Sequence, residues 1–232
     1  MKERIYRSLI ELTNGPVTSA ALRKFAVSRL SRPLIKPYAR IYRINQDEMH
    51  DALHHYSTLH AFFTRRLKDG TRPIDETPYS IISPVDGVLE DWGTITSNRE
   101  LVIKGKSYSV EEMLGGKEAA ETYSGGTYMI LYLSPAHYHR IHSPINGTVV
   151  RTYSLGKKSF PVNKAGLKYG TATLAKNFRT ITELKHGKRR IAMVKVGAMF
   201  INTVEVTNKN KEWKKGEEAA YFSFGSTVIL LF

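Results

Sequence analysis

Three of the eight histidines fall within eleven residues, Ser134-Pro-Ala-His137-Tyr-His139-Arg-Ile-His142-Ser-Pro144. If this stretch is a strand, His137 and His139 share one face and His142 lies opposite, unless a bulge or turn intervenes. Pro144 favours such a turn. The H-x-H-x-x-H spacing invites a metal, because imidazole is the commonest zinc ligand type, and Asp86 is an available further donor. The same chain also offers an acid, a base and a hydroxyl in the order Asp86, His, Ser226, the set that activates a serine nucleophile. Each residue has an ordinary alternative. Asp86 sits in Pro84-Val-Asp-Gly87, a turn composition, and Ser226 can be a strand-edge hydroxyl.

The surroundings of Ser226 narrow what it could attack. A hydrolase elbow has the form G-x-S-x-G between strand and helix, whereas Ser226 is followed by Thr-Val-Ile-Leu-Leu-Phe, a strand composition. Gly225 places an unhindered carbonyl directly before the serine, and glycine tolerates strained backbone. An attack of Ser226 Oγ on the Gly225 carbonyl is therefore the natural chemistry to consider, and tethering makes it unimolecular.

The elements that must position these residues divide the chain in two. Ile5, Leu9 and Leu12, then Leu22, Phe25 and Leu30, recur at helical spacing. The spacing predicts one more helix over Gln46–Leu67. From Ile81 onward, Gly126–Ser134, Asn146–Ser154, Arg190–Thr207 and Ser226–Phe232 read as strands bounded by turn residues, with a short helix over Val110–Leu114. The expected fold is α+β: a helical N-terminal region, 1–70, followed by a mostly antiparallel β-rich catalytic body, 71–232. Ser83-Pro-Val-Asp-Gly-Val88 returns sixty residues later as Ser143-Pro-Ile-Asn-Gly-Thr-Val149, which suggests two related halves.

The chain of 232 residues carries a formal charge of +14 and 41% hydrophobic residues, enough for a sizeable core beside an anionic partner. Ten Lys or Arg stand against Glu3 and Glu11 in the first 45 residues. Such basic amphipathic helices suit an anionic membrane surface, or simply the solvated face of a packed helix. Nucleic acid is disfavoured, since no aromatic residues interleave with the cations in a repeated pattern. The absence of cysteine removes disulfides and thiolate metal sites. The first residues lack the apolar stretch of a secretory leader, and no run of about 18 apolar residues predicts a spanning helix.

Seven segments, in order, closely resemble the phosphatidylserine decarboxylase family, self-cleaving proenzymes with a pyruvoyl group. They are FFTRRLKDGTRPI (62–74), SPVDGVL (83–89), IKGKSYSVEEML (103–114), YHRIHSPINGTV (138–149), FPVN (160–163), VGAMFINTV (196–204) and FGSTVILLF (224–232). The resemblance implies that Asp86 and His142 are the acid and base of self-cleavage and that Ser226 is the nucleophile. The broken bond is then Gly225-Ser226, and Ser226 becomes the covalent pyruvoyl (pyruvate) cofactor that forms a Schiff base with substrate. His139 resembles the residue implicated in decarboxylation, His137 is left as a structural residue, and no metal is implied. Large and small subunits would come from one proenzyme, acting on phosphatidylserine as a peripheral protein at the cytoplasmic face of the cell membrane. A homodimer is left open. Two departures stand out: family members usually continue past the final strand, and Ile201-Asn202 replaces an expected Val-Gly-like step.

Overall fold

The computed structural model describes residues 16–103, 105–157, 160, 173–197, 204–223 and 226–232, with Ser226 given by its backbone. The expected helix around Ile5–Leu12, the Phe160–Asn163 motif beyond Phe160, Ile201-Asn202 and Gly225 lie outside these residues.

The N-terminal region is helical: α1 (Pro16–Val27), a 3-10 turn at Arg29–Leu34, and α2 (Ile35–Ile41). The single helix expected over Gln46–Leu67 is not formed. That segment holds a 3-10 turn at Leu53–His55 and the short helix α3 (Leu59–Phe63), and Met49 and Leu67 pair as an isolated antiparallel bridge. A continuous helix would hold those two residues roughly 27 Å apart. Thr58 caps α3 by accepting a hydrogen bond from the Ala61 amide at 3.0 Å. Ile35, Ala39, Met49, Tyr56 and Phe62 form the apolar core of this region.

The body is built on a seven-stranded antiparallel sheet. In chain order its strands are β1 (Val88–Thr94), β4 (Thr127–Leu133), β6 (Gly147–Leu155), β7 (Arg179–His186), β8 (Arg189–Gly197), β10 (Glu212–Trp213) and β12 (Ser226–Leu231). Across the sheet the order is β1-β4-β12-β8-β7-β6-β10. One face is covered by the hairpin β2 (Glu100–Ile103) and β3 (Lys106–Ser109) with the helices α4 (Val110–Leu114) and α5 (Lys117–Glu121). Helix α6 (Thr173–Lys176) adds Leu174 to this layer. The other face packs against a small sheet of β5 (Arg140–His142), β11 (Glu218–Phe222) and β9 (Val204–Val206). Val228 and Leu230 of β12 point into one layer, Ile229 and Leu231 into the other. A strand buried on both faces loses polar alternation, which is why its sequence is a continuous apolar run.

Helix α4 forms where expected. Ser109 accepts from the Glu112 amide at 3.2 Å, and Gly115 ends the helix in the left-handed conformation at φ 78°. Arg179 then fixes α4 to the sheet by donating to the carbonyls of Glu112 and Met113.

The sixty-residue echo has a structural counterpart. In both turns the serine hydroxyl donates to the carbonyl two residues on, Ser83 to Val85 and Ser143 to Ile145, each at 2.7 Å. Both glycines are required by close approach: a Cβ on Gly87 would meet the Tyr132 carbonyl, and one on Gly147 the Lys185 carbonyl, each at 2.9 Å. The strands that follow carry register shifts at Leu89/Asp91 and Val149/Arg151, again sixty residues apart. The two copies also bond to each other reciprocally. The Ile82 amide donates to the Pro144 carbonyl at 3.1 Å, and the His142 amide to the Pro84 carbonyl at 2.8 Å.

Candidate active site

The histidine loop starts where β4 ends. His137 closes a turn onto Ser134: its amide donates to the Ser134 carbonyl, and its Nδ1 accepts from the Ser134 amide, both at 3.0 Å. That bond leaves Nδ1 unprotonated, in keeping with a pKa lowered by burial. His137 thus holds the first turn of the loop closed. Arg65, just after α3, ties the loop down by donating from Nη2 to the carbonyls of Ala136 and His137 at 3.0 and 3.1 Å. Arg140 returns the tie, donating to the Thr64 carbonyl at 3.1 Å and to Glu218 Oε1 at 2.6 Å.

His139 is fully buried. Its Nδ1–H donates to the His137 carbonyl at 2.8 Å, and its ring lies against Phe63 with centroids 3.9 Å apart. Nε2 has no hydrogen-bond partner among the described residues. Burial, reinforced by the nearby Arg65 cation, pushes the pKa down to about 3. The ring is thus neutral and presents a bare lone pair in a dry setting. Buried polar atoms are ordinarily satisfied, so this lone pair is available to a further partner.

Asp86 and His142 line one cavity of about 320 Å³, together with Arg72, Tyr138 and Gly216. They are brought there by the reciprocal pairing of the two turns. No hydrogen bond joins them. Asp86 is held by Arg72, whose Nε and Nη2 donate to its two oxygens at 2.8 and 2.7 Å, while Nη2 also reaches Glu48 at 2.9 Å. His142 donates from Nδ1 to the Gly216 carbonyl at 2.8 Å. The remaining Nε2 is the basic atom, and it accepts from the Tyr138 hydroxyl at 3.2 Å. Burial raises the Tyr138 pKa to about 12, so this hydroxyl keeps its proton.

Ser226 opens β12, an interior strand of the large sheet. Its backbone pairs with Leu133 of β4 on one side and Gly197 of β8 on the other. The histidine loop departs from that same Leu133, and the Phe222 amide donates to the His139 carbonyl at 3.0 Å. Leu133 and His139, at the two ends of the loop, thus meet Ser226 and Phe222 respectively. Across the sheet, the Asp86 turn abuts the end of β4, two strand spacings or roughly 10 Å from β12.

Comparison with known proteins resolves what this assembly belongs to. The family model described as phosphatidylserine decarboxylase matches residues 59–232. The chain belongs to the phosphatidylserine decarboxylase family. A phosphatidylserine decarboxylase proenzyme of Geobacillus kaustophilus (strain HTA426) is 56% identical over 232 residues, covering 100% of this chain and 88% of the relative. Proenzymes of the same description from Bacillus thuringiensis (strain Al Hakam) and Bacillus mycoides (strain KBAB4) are 55% identical with the same coverage.

Within this family member, spacing alone suggested a metal site that the geometry does not assemble. Among the described residues no three His, Asp or Glu side chains group to hold a cation. The Nδ1 atoms of the three loop histidines are engaged by Ser134, His137 and Gly216. Sequence reasoning missed Arg65, Arg72 and Tyr138. All three stood inside the motifs given above, but only the fold shows that they reach the His137 carbonyl, Asp86 and His142.

Proposed function

We propose that this protein converts phosphatidylserine to phosphatidylethanolamine and CO2, using a pyruvoyl group made by breaking its own chain between Gly225 and Ser226. The observation that carries the mechanism is the bare Nε2 of His139, a residue whose carbonyl is bonded to the Phe222 amide four residues before Ser226. In self-cleavage, His142 Nε2 takes the Ser226 hydroxyl proton as Oγ attacks the Gly225 carbonyl carbon. The C–N bond breaks, the serine nitrogen takes a proton, and Gly225 is left as an ester on Oγ. Loss of the Cα proton and of the Gly225 carboxylate leaves dehydroalanine at position 226, whose hydrolysis releases ammonia and leaves the ketone. Asp86, across the shared cavity, opposes the positive charge that builds on His142, and Arg72 keeps that carboxylate in place.

The residues fit the group: His139 offers an unpartnered buried base, and its carbonyl accepts from the Phe222 amide, four residues before Ser226. A pyruvoyl ketone supplies an electrophile for the substrate amine and a sink for the electrons left when CO2 departs. His139 Nε2 takes the proton that the substrate ammonium must lose and delivers it to the α-carbon after CO2 has gone. Phe63 on one face of the ring excludes water.

The N-terminal region supplies the membrane contact. Leu22, Leu30, Leu34 and Ile41 are exposed, up to 78% for Leu30, among Arg23, Arg29, Lys36 and Arg40. Apolar side chains set among cations suit shallow insertion into an anionic bilayer surface. No helix among the described residues is long and apolar enough to cross a membrane. Mass spectrometry of the purified protein tests the proposal. The expected result is a large chain ending at Gly225 and a small chain blocked by pyruvoyl at position 226, with Ser226→Ala remaining whole and inactive. Decarboxylation by an unbroken chain that retains serine at 226 would falsify it.

A further inference from the structure

Arg65 is an unusual cation. Only 4% of it is exposed, yet among the described residues no carboxylate pairs with it, Asp86 and Glu48 acting on it only from a distance, and its Nε and Nη1 have no hydrogen-bond partner. Its single engaged nitrogen, Nη2, binds the carbonyls of Ala136 and His137, and its guanidinium lies 5.5 Å from the Phe62 ring centre. Leaving two guanidinium nitrogens dry and unsatisfied costs free energy that loop anchoring through Nη2 does not recover. The hydroxyls of Tyr38 and Tyr56 lie close enough to feel the Arg65 charge, and burial raises the pKa of both, so both remain O–H donors.

The position of this cation relative to His139 is fixed by a shared atom. Arg65 Nη2 and His139 Nδ1 both donate to the His137 carbonyl, at 3.1 and 2.8 Å, so they are no more than about 6 Å apart. On its other side Arg65 adjoins the helical region, since Phe62 packs into that core while Phe63 stacks on His139. The order from exposed apolar helices to Arg65 to His139 parallels the order of a phosphatidylserine molecule: acyl chains, phosphodiester, reacting serine. Phosphorus and the serine α-carbon are three bonds apart, a separation that this spacing accommodates.

We propose that Arg65 is the headgroup-phosphate subsite of the enzyme, taking the substrate phosphodiester on Nε and Nη1 while His139 faces the reacting carbon. The inference rests on the decarboxylase reading above. The carboxylate is the less suitable anion, because a cation paired to the departing group would stabilise the ground state over the transition state and slow the loss of CO2. The phosphodiester keeps its charge throughout, and a planar guanidinium fork matches two of its oxygens. Phosphate on Arg65 also cancels the charge that helps to hold His139 unprotonated, so binding would strengthen the base just when it is needed.

The test uses the self-processed enzyme and two probes. One is a dispersed short-chain phosphatidylserine. The other is an O-alkyl ether of L-serine of matched chain length, which keeps the amine and carboxylate and lacks the phosphodiester. Arg65→Gln, which also loosens the loop, should still split its chain and raise KM for the phospholipid roughly 10- to 150-fold more than KM for the ether. Arg65→Lys, which keeps the charge but loses the fork, should fall between. Equal losses on both probes would mean that Arg65 only holds the loop, and would overturn the proposal. Should Arg65→Gln fail to split, the wild type decides: a preference for the phospholipid that Arg65→Lys diminishes supports the subsite, and equal kcat/KM for the two probes overturns it. A wild-type protein that neither splits nor decarboxylates either probe overturns the underlying reading, and this proposal with it.

Discussion

Lys195→Met should stabilise the protein, most strongly at neutral pH and below. Lys195 is fully buried in β8, and its ammonium donates to Thr182 Oγ1 at 2.6 Å with no carboxylate paired to it among the described residues. Burial pushes its pKa from 10.5 to about 7. A drop of that size corresponds to about 5 kcal/mol against the charged form, as an order of magnitude. The sign follows from proton counting. Below about pH 7 both folded and unfolded chains carry the proton, and the full penalty is present. Between about 7 and 10.5 only the unfolded chain holds it, so stability rises with pH by up to about 1.4 kcal/mol per unit. Methionine matches the buried stem and adds no charge, and Thr182 keeps its bond to Thr152 at 3.1 Å. Thermal unfolding followed by circular dichroism from pH 6 to 10 is the assay. A gain of even 2 kcal/mol raises Tm by roughly 4 to 8 °C for a chain of this size. The reasoning is refuted if the variant melts no higher than wild type at pH 6, or if both show the same rise of Tm between pH 7 and 10.

Four further outcomes are expected. His142→Ala and Asp86→Asn should each slow chain splitting by roughly 10²- to 10⁴-fold on a denaturing gel. His139→Ala should split normally yet lose decarboxylation to a similar extent, and failure to split would erase the division of roles between the two histidines. Leu30→Glu combined with Ile41→Glu should weaken co-sedimentation with anionic vesicles at fixed salt without changing Tm; unchanged sedimentation would move the docking face elsewhere. Arg179→Met should cost roughly 3 kcal/mol in denaturant unfolding, because the carbonyls of Glu112, Met113 and Asn177 lose their donor inside the core.

Much of the body was legible because its signals are local. Val110–Leu114 has a capping serine, a glutamate three residues on and a terminating glycine within a few positions, and the helix forms at those bounds. The strands β4, β6 and β12 are apolar or β-branched runs between turn residues, and each forms within a residue or two of its expected ends. The expected Gln46–Leu67 helix failed because its apolar positions serve different purposes. Met49 joins a bridge to Leu67, Phe62 packs into the helical core, and Phe63 turns to His139. Periodicity counts apolar residues and cannot tell which neighbour each one meets. The roles of Arg65 and Arg72 were hidden for a related reason. The partners of Arg65 lie 71 and 72 residues away, and those of Arg72 lie 14 and 24 away, distances over which sequence pattern carries no contact information.

The mutual grip of the two S-P-x-Asx-Gly turns has a consequence for how the centre can be one-sided. Identical copies would place a carboxylate at each end of the axis relating them. Here the equivalents differ: Asp86 is an anion clasped by arginine, whereas Asn146 keeps the shape of the turn and accepts the Lys215 amide at 2.8 Å. Joining both copies in one polypeptide lets the two ends differ, and under the proposed function one serves reactivity while the other serves architecture. On the proposed reading the chain severs itself once, and a single, unambiguous place to do so suits that chemistry.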